Sequence, residues 1–242
     1  MRKVPEITIY FWIIKLLTTG MGEVTSDYLV HTINPMIAVA LGGICLIGAL
    51  ALQFFVHRYI AWIYWLSVVM VAVFGTMAAD VLHIGLGIPY LISTILFLIV
   101  LCITFIVWYM REKTLSIHSI YTPTREAFYW ASVMATFALG TAAGDMTATT
   151  LGLGYFSSGI LFALLIALPA FGYWKLGLSE ISAFWLAYIL TRPLGASFAD
   201  WIGRSRVFGG LGVGTGWVSL ILTILIICFV AYLTVTRKDI KD

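Results

Sequence analysis

Apolar residues run along this chain in eight stretches of about 20 residues, separated by short breaks rich in polar residues, glycine or proline. The stretches lie near 7–29, 35–57, 60–82, 89–111, 127–149, 154–174, 181–201 and 212–236. Each is long enough for a helix to cross a hydrocarbon core of about 30 Å. None shows the two-residue alternation of a barrel strand, so the pattern predicts an all-α membrane protein with eight transmembrane helices. The longest break, about 112–126, divides the chain into halves and contains Thr122-Pro123, an N-cap followed by proline in the first helical turn.

Polar positions inside the stretches are not scattered. Four times an aromatic-Trp pair is followed by Gly ten residues after the Trp and Asp fifteen after it: Phe11-Trp12, Gly22, Asp27; Tyr64-Trp65, Gly75, Asp80; Tyr129-Trp130, Gly140, Asp145; Phe184-Trp185, Gly195, Asp200. The copies begin 53, 65 and 55 residues apart, a period that marks an array of one supersecondary unit. Each unit reads as a hairpin, a motif helix followed by a plainer apolar helix, giving repeats at about 7–57, 60–111, 125–175 and 180–236 within a single membrane domain. Two spans per unit make the repeats tandem and parallel, with the four Asp residues at similar depth. The turns echo one another in Leu86-Gly87, Leu151-Gly152 and Leu211-Gly212, with Asn34-Pro35 in that role in the first unit.

A helix turns about 100° per residue, so the motif positions share one face about 140° wide. Repeat 1 shows Trp12, Lys15, Thr19, Gly22, Glu23, Ser26 and Asp27 there, and repeat 4 shows Trp185, Tyr188, Arg192, Gly195, Ala196 and Asp200. Repeats 2 and 3 are neutral versions with Thr76 and Asp80, and Thr141 and Asp145. Such a face belongs away from lipid, and its glycines permit close helix approach. The expectation is a pseudo-four-fold core of motif helices 1, 3, 5 and 7, with the plain helices outside. Asp lies about 22 Å from Trp along the axis, and Lys15 and Arg192 lie deeper, where each needs a carboxylate on another helix. Pro193 predicts a kink and a freed carbonyl beside Arg192.

Composition strengthens the membrane assignment: 62% of the 242 residues are hydrophobic and 10% charged. Ten basic residues (2, 3, 58, 111, 113, 125, 175, 237, 238 and 241) fall on the side shared by the termini, and only Arg204 and Arg206 on the other. That bias predicts cytoplasmic termini in a multi-pass protein of the bacterial inner membrane. The net charge of +3 then reflects topology and gives no reason to expect nucleic acid. The first stretch carries Lys15, Glu23 and Asp27 and belongs to the repeat, so it is expected to be retained rather than cleaved. Cys45, Cys102 and Cys228 lack paired spacing and read as small apolar residues.

The four-fold Trp-Gly-Asp pattern resembles a family of uncharacterised bacterial membrane-anchored proteins built from four tandem two-helix repeats of unknown function. The resemblance covers nearly the whole chain and implies the architecture, but no substrate.

Function is therefore read from the residues. Glu23, Asp27, Asp80, Asp145 and Asp200, with Lys15, Tyr188, Arg192, Thr76 and Thr141, form the candidate ion or substrate site. Carboxylates repeated inside apolar helices are costly and mark ion pathways or structural clasps. Glu23, Asp27 and His31 are spaced by four, and His83 follows Asp80 by three. Carboxylate with imidazole suits divalent first-row metals, which makes Glu23, Asp27, His31, Asp80 and His83 a candidate metal set. The leading expectation is a small proton-coupled secondary transporter or permease for a cation, a divalent metal ion among the candidates, with the metal as substrate and no resident cofactor. The partners are then the bilayer, a small ion or solute, and a second copy in a homo-oligomer. One alternative is a non-catalytic scaffold or accessory subunit whose Trp, Gly and Asp are packing devices; another is a carrier of a small organic or anionic solute. An enzyme is not expected, since HExxH, paired catalytic Asp motifs and an activated nucleophile are absent.

Overall fold

The computed structural model describes residues 2–240, and among them it contains eight long α-helices and no strand. They are α1 (Ile9–Thr32), α2 (Pro35–Phe55), α3 (Ala61–Asp80), α4 (Tyr90–Glu112), α5 (Pro123–Asp145), α6 (Gly154–Lys175), α7 (Glu180–Gly203) and α8 (Thr215–Thr236). Thr122 caps α5, its hydroxyl accepting from Arg125 N at 3.3 Å with Pro123 in the first turn. Gly87, Gly152 and Gly212 all adopt the left-handed conformation, with φ of 66°, 69° and 81°, so the turns that match in sequence also match in backbone. α3 and α5 each end in a single π-helical turn, Val81–Gly85 and Met146–Thr150, directly after the motif Asp.

Five stretches, Pro35–Phe55, Ala61–His83, Tyr90–Glu112, Gly154–Lys175 and Thr215–Thr236, are long and apolar enough to cross a membrane. The other three helices, α1, α5 and α7, carry most of the buried polar and charged side chains. α2, α4, α6 and α8 are largely exposed and apolar on the outside of the molecule.

The motif residues are the joints between repeats. Each motif helix packs against two others: α1 against α3 and α7, and α5 against α3 and α7. A Cβ on Gly22 would lie 2.6 Å from Ala72 Cβ, and one on Gly75 would lie 2.9 Å from Phe137 Cβ. A Cβ on Gly140 would lie 2.3 Å from Arg192 Cγ, and one on Gly195 would lie 1.9 Å from Thr19 Oγ1. In every case the partner lies seven residues after the Trp of the adjoining repeat, and the last joint closes onto the first. The aromatic before each Trp follows the same order: Phe11–Trp65, Tyr64–Trp130, Tyr129–Trp185 and Phe184–Trp12 ring centroids lie 5.6, 5.7, 6.2 and 5.8 Å apart.

The plain helices do not chiefly cover their own hairpin partners. α2 packs mainly on α3, α4 on α5, α6 on α7, and α8 on α1, each lying over the next repeat. Sequence shows which helices are apolar but not which neighbour they cover. α7 runs through Pro193 without interruption, and the proline ring lies against Gly140, where a Cβ would be 3.0 Å from Pro193 Cδ.

The end bearing the termini is closed by polar joinery. Lys3, drawn under the bundle, pairs with buried Glu126 at 2.5 Å, and Gln53 Nε2 donates to the same carboxylate at 2.9 Å. The backbone of this segment is pinned by Lys3 N to Ile120 O and Tyr59 N to Arg2 O, both 2.9 Å. Above this plug, the Tyr64 and Tyr129 hydroxyls meet at 2.5 Å within the aromatic layer.

Candidate functional site

Side chains at the third, seventh, eleventh and fifteenth positions after the motif Trp residues meet where the motif helices pack together, and each such position is called a layer. The third-position layer holds Lys15 and Tyr188 with Val68 and Val133, all buried. Lys15 Nζ has no hydrogen-bond partner. It sits 3.8 Å from the Tyr188 ring centroid and 3.9 Å from that of Phe137, an ammonium held by two π faces. The Tyr188 hydroxyl is also unpartnered.

Arg192 occupies the seventh-position layer, fully buried, and gathers groups from three other helices. Nη2 donates to Glu23 Oε2 at 2.6 Å, to Thr141 Oγ1 at 2.7 Å and to Thr76 Oγ1, and Nη1 donates to the carbonyl of Thr19 at 2.9 Å. Glu23, Thr76 and Thr141 are the eleventh-position residues of repeats 1, 2 and 3. One side chain of repeat 4 thus bonds to groups of all three other repeats. Ala196 replaces the polar residue in repeat 4, which leaves room for the guanidinium that the same helix contributes.

The carboxylates lie beyond Arg192, toward the end opposite the termini. Glu23, Asp145 and Asp200 each offer an oxygen, and all three oxygens lie within 4.8 Å of one another. These three side chains are buried, and Asp27 and Asp80 are half-buried beside them. Arg204 crosses this end, with Nη2 2.8 Å from Asp27 Oδ2 and Nε 3.0 Å from Asp200 Oδ1. The second approach is off-line for a hydrogen bond and leaves Asp200 Oδ1 without a partner. Burial works against the Arg204 charge, but Asp200 and Asp27 outweigh it and hold its pKa above the usual arginine range. The centre therefore carries five carboxylates (Glu23, Asp27, Asp80, Asp145, Asp200) against three cations (Lys15, Arg192, Arg204).

Among the described residues no indole or hydroxyl donates to any of the four Asp carboxylates. The Trp185 indole instead donates to Leu115 O at 2.9 Å, and those of Trp65 and Trp130 are unpartnered. The two histidines lie apart from the carboxylate group. His31 is exposed, with Nδ1 2.7 Å from the Asp27 carbonyl. His83 packs at a tilt against Tyr90, ring centroids 4.2 Å apart, and lies 3.3 Å from Ser93 Oγ and Ile88 O. The closely grouped carboxylates are Glu23, Asp145 and Asp200, rather than a set running Glu23, Asp27, His31 along one helix. Sequence reasoning missed Arg204. Its signal was present, because it stands one turn past Asp200 on the same face of the motif helix.

The family model described as a Repeat of Unknown Function (DUF347) matches four times, over residues 10–59, 63–114, 128–177 and 183–239. The chain belongs to this repeat family. Each match begins within two residues of a motif Trp and ends shortly after a plain helix, so the family's repeat unit is the Trp-Gly-Asp helix with its returning partner. No curated protein and no solved structure matches the chain.

Proposed function

We propose that this DUF347 protein is a secondary transporter for a small cation, with Glu23, Asp145 and Asp200 as the binding group. The observation that carries the proposal is the convergence of three buried carboxylates, one already paired with Arg192 and one with an unsatisfied oxygen. Five carboxylates facing three cations leave a deficit of positive charge in a low-dielectric core, and bound protons or a cation would remove it. Three carboxylate oxygens without an imidazole suit a hard cation such as Mg²⁺, Mn²⁺ or Ca²⁺ better than Zn²⁺.

In this reading all eight helices cross the inner membrane. The motif helices form a pseudo-four-fold core, and both termini are cytoplasmic, a reading supported by the distribution of basic residues. α1, α5 and α7 are too polar to face lipid, but the exposed apolar helices shield them. Cations enter from the outer end past Asp27, Asp80 and Arg204, and the Lys3–Glu126–Gln53 plug and the aromatic layer close the path to the cytoplasm. Arg192 is the internal competitor: a cation arriving at Glu23 displaces its guanidinium, which shifts toward Thr76 and Thr141. Proton coupling follows if carboxylates released by the cation take up protons before the return step. Neither step is enzymatic.

The test is flux into proteoliposomes loaded with a divalent-sensitive dye, under inward Mn²⁺ and Mg²⁺ gradients with and without a pH difference. Uptake that is lost in Asp200→Asn and Asp145→Asn supports the proposal. Absence of uptake under every gradient, together with no thermal shift by any cation, would leave the sealed scaffold as the better reading. The closed terminal end and the unpaired Lys15 are the features that favour that second reading.

A further inference from the structure

Two cavities outside the polar centre meet at Thr234. One, of about 560 Å³, is an almost wholly apolar slot between α3 and α8, with Met21 of α1 as its floor. Its α3 wall is Trp62, Trp65, Leu66 and Val69, the i, i+3, i+4, i+7 face of that helix. Its α8 wall runs from Thr223 to Val235, about 18 Å along the helix, from the middle of the bundle to the end bearing the termini. The slot lies where α8 packs mainly on α1 and more lightly on α3.

The second cavity, of about 750 Å³, continues from that end and is lined by Arg2, Arg58 and Arg237. Glu6 and Asp239 also line it, but Arg2 holds Glu6, and the Tyr59 hydroxyl donates to Asp239. Arg58 and Arg237 are exposed and form no ion pair among the described residues. Both are set by defined turns. The residue after Arg58 is tied by Tyr59 N to Arg2 O at 2.9 Å, and Arg237 ends α8 in the left-handed conformation, its N donating to Leu233 O at 2.8 Å.

An apolar slot opening at one end onto unpaired guanidinium groups is complementary to an amphiphile with an acidic head. We propose that the α3–α8 slot and its arginine-lined mouth bind one anionic phospholipid, with an acyl chain along Trp62, Leu66 and Ala231 and the headgroup phosphate between Arg58 and Arg237. A volume of about 560 Å³ falls in the range of small-molecule pockets. Basic pockets between helices at the cytoplasmic surface are where acidic headgroups are held. The proposal does not depend on transport, and it is tested by binding alone.

Delipidated full-length protein in detergent is titrated with phosphatidylglycerol, phosphatidylcholine or inorganic phosphate, followed by native mass spectrometry and thermal shift. One phosphatidylglycerol per chain is expected, preferred over phosphatidylcholine about 25-fold, from roughly fivefold for each of two arginines. Arg58→Gln with Arg237→Gln, both at exposed positions, should bring the two lipids to parity while leaving the lipid-free Tm unchanged. Ala231→Trp should exclude both lipids; if that variant does not fold, Ile227→Phe fills the same slot. Equal binding of the two lipids by the unmodified protein, or a preference that survives loss of both arginines, overturns the proposal. So does a full thermal shift by phosphate alone, which marks a free-anion site, or unchanged lipid binding in the slot-filled variant.

Discussion

Replacing Glu23 with glutamine removes one charge from a pair in which Arg192 is fully buried and Glu23 is 2% exposed. The guanidinium then keeps Thr76, Thr141 and the Thr19 carbonyl but loses its nearest anion. Breaking a buried pair from one side costs about 3–5 kcal/mol, because the surviving charge stays desolvated. At about 2–4 °C per kcal/mol for a chain of this size, the apparent Tm should fall by about 6–20 °C. Arg192→Met should cost less, since a freed Glu23 can bind a proton and Met preserves the stem that packs on Gly140. The double variant removes both charges, and its loss should fall short of the sum of the singles by about 1–3 kcal/mol. The assay is thermal unfolding of detergent-purified protein at one scan rate, because unfolding of such proteins is often irreversible. Additive single effects, or a Glu23→Gln Tm within about 2 °C of the parent, would refute the view that this pair organises the centre.

Four further outcomes follow from the same geometry. Gly22→Ala places a Cβ 2.8 Å from the Ala72 backbone carbon and should destabilise by about 1–3 kcal/mol, whereas Gly48→Ala, with nothing within 4 Å, should be neutral or stabilising; equal effects on Tm would contradict the joint assigned to the motif glycine. Lys15→Met keeps the volume and removes an ammonium with no carboxylate partner, so the Tm should hold or rise even where flux is lost; a fall comparable to that of Glu23→Gln would mean Lys15 has an anionic partner. Lys3→Met leaves Glu126 buried with only Gln53 as a donor, and cysteine labelling behind the plug should increase; unchanged labelling would show that the aromatic layer alone closes this end. Burial raises the Asp239 carboxyl above its ordinary value, so the folded state binds that proton more tightly than the unfolded chain, and this contribution to stability is lost as pH rises from the ordinary value through the raised one; Asp239→Asn should flatten that part of the Tm–pH curve, and an identical slope in both proteins would count against it.

The repeat motif made much of the architecture legible. An aromatic-Trp pair, a Gly and an Asp at fixed spacing place themselves on one helical face, and chain order alone makes that face recur four times. The turn glycines and the Thr122 cap were readable for the same reason, since they depend on local backbone conformation. Arg192 was recognisable as a cation needing a carboxylate from another helix. Other assignments required the folded chain. Which neighbour each plain helix covers depends on a choice between equivalent apolar faces, and the chain resolves it by passing each one to the next repeat. Glu23, Asp145 and Asp200 were already among the five candidate carboxylates, but which of the five come closest was hidden, because these three lie on three helices and their separation depends on rotation and depth. The histidines looked like ligands because they follow Asp at helical spacing, but the end of α1 leaves His31 in the open and the π turn after Asp80 carries His83 toward Ser93. Periodicity, being a property of one helix, was written in the sequence. Convergence between helices, which depends on how closely glycine lets them approach, was decided only by packing.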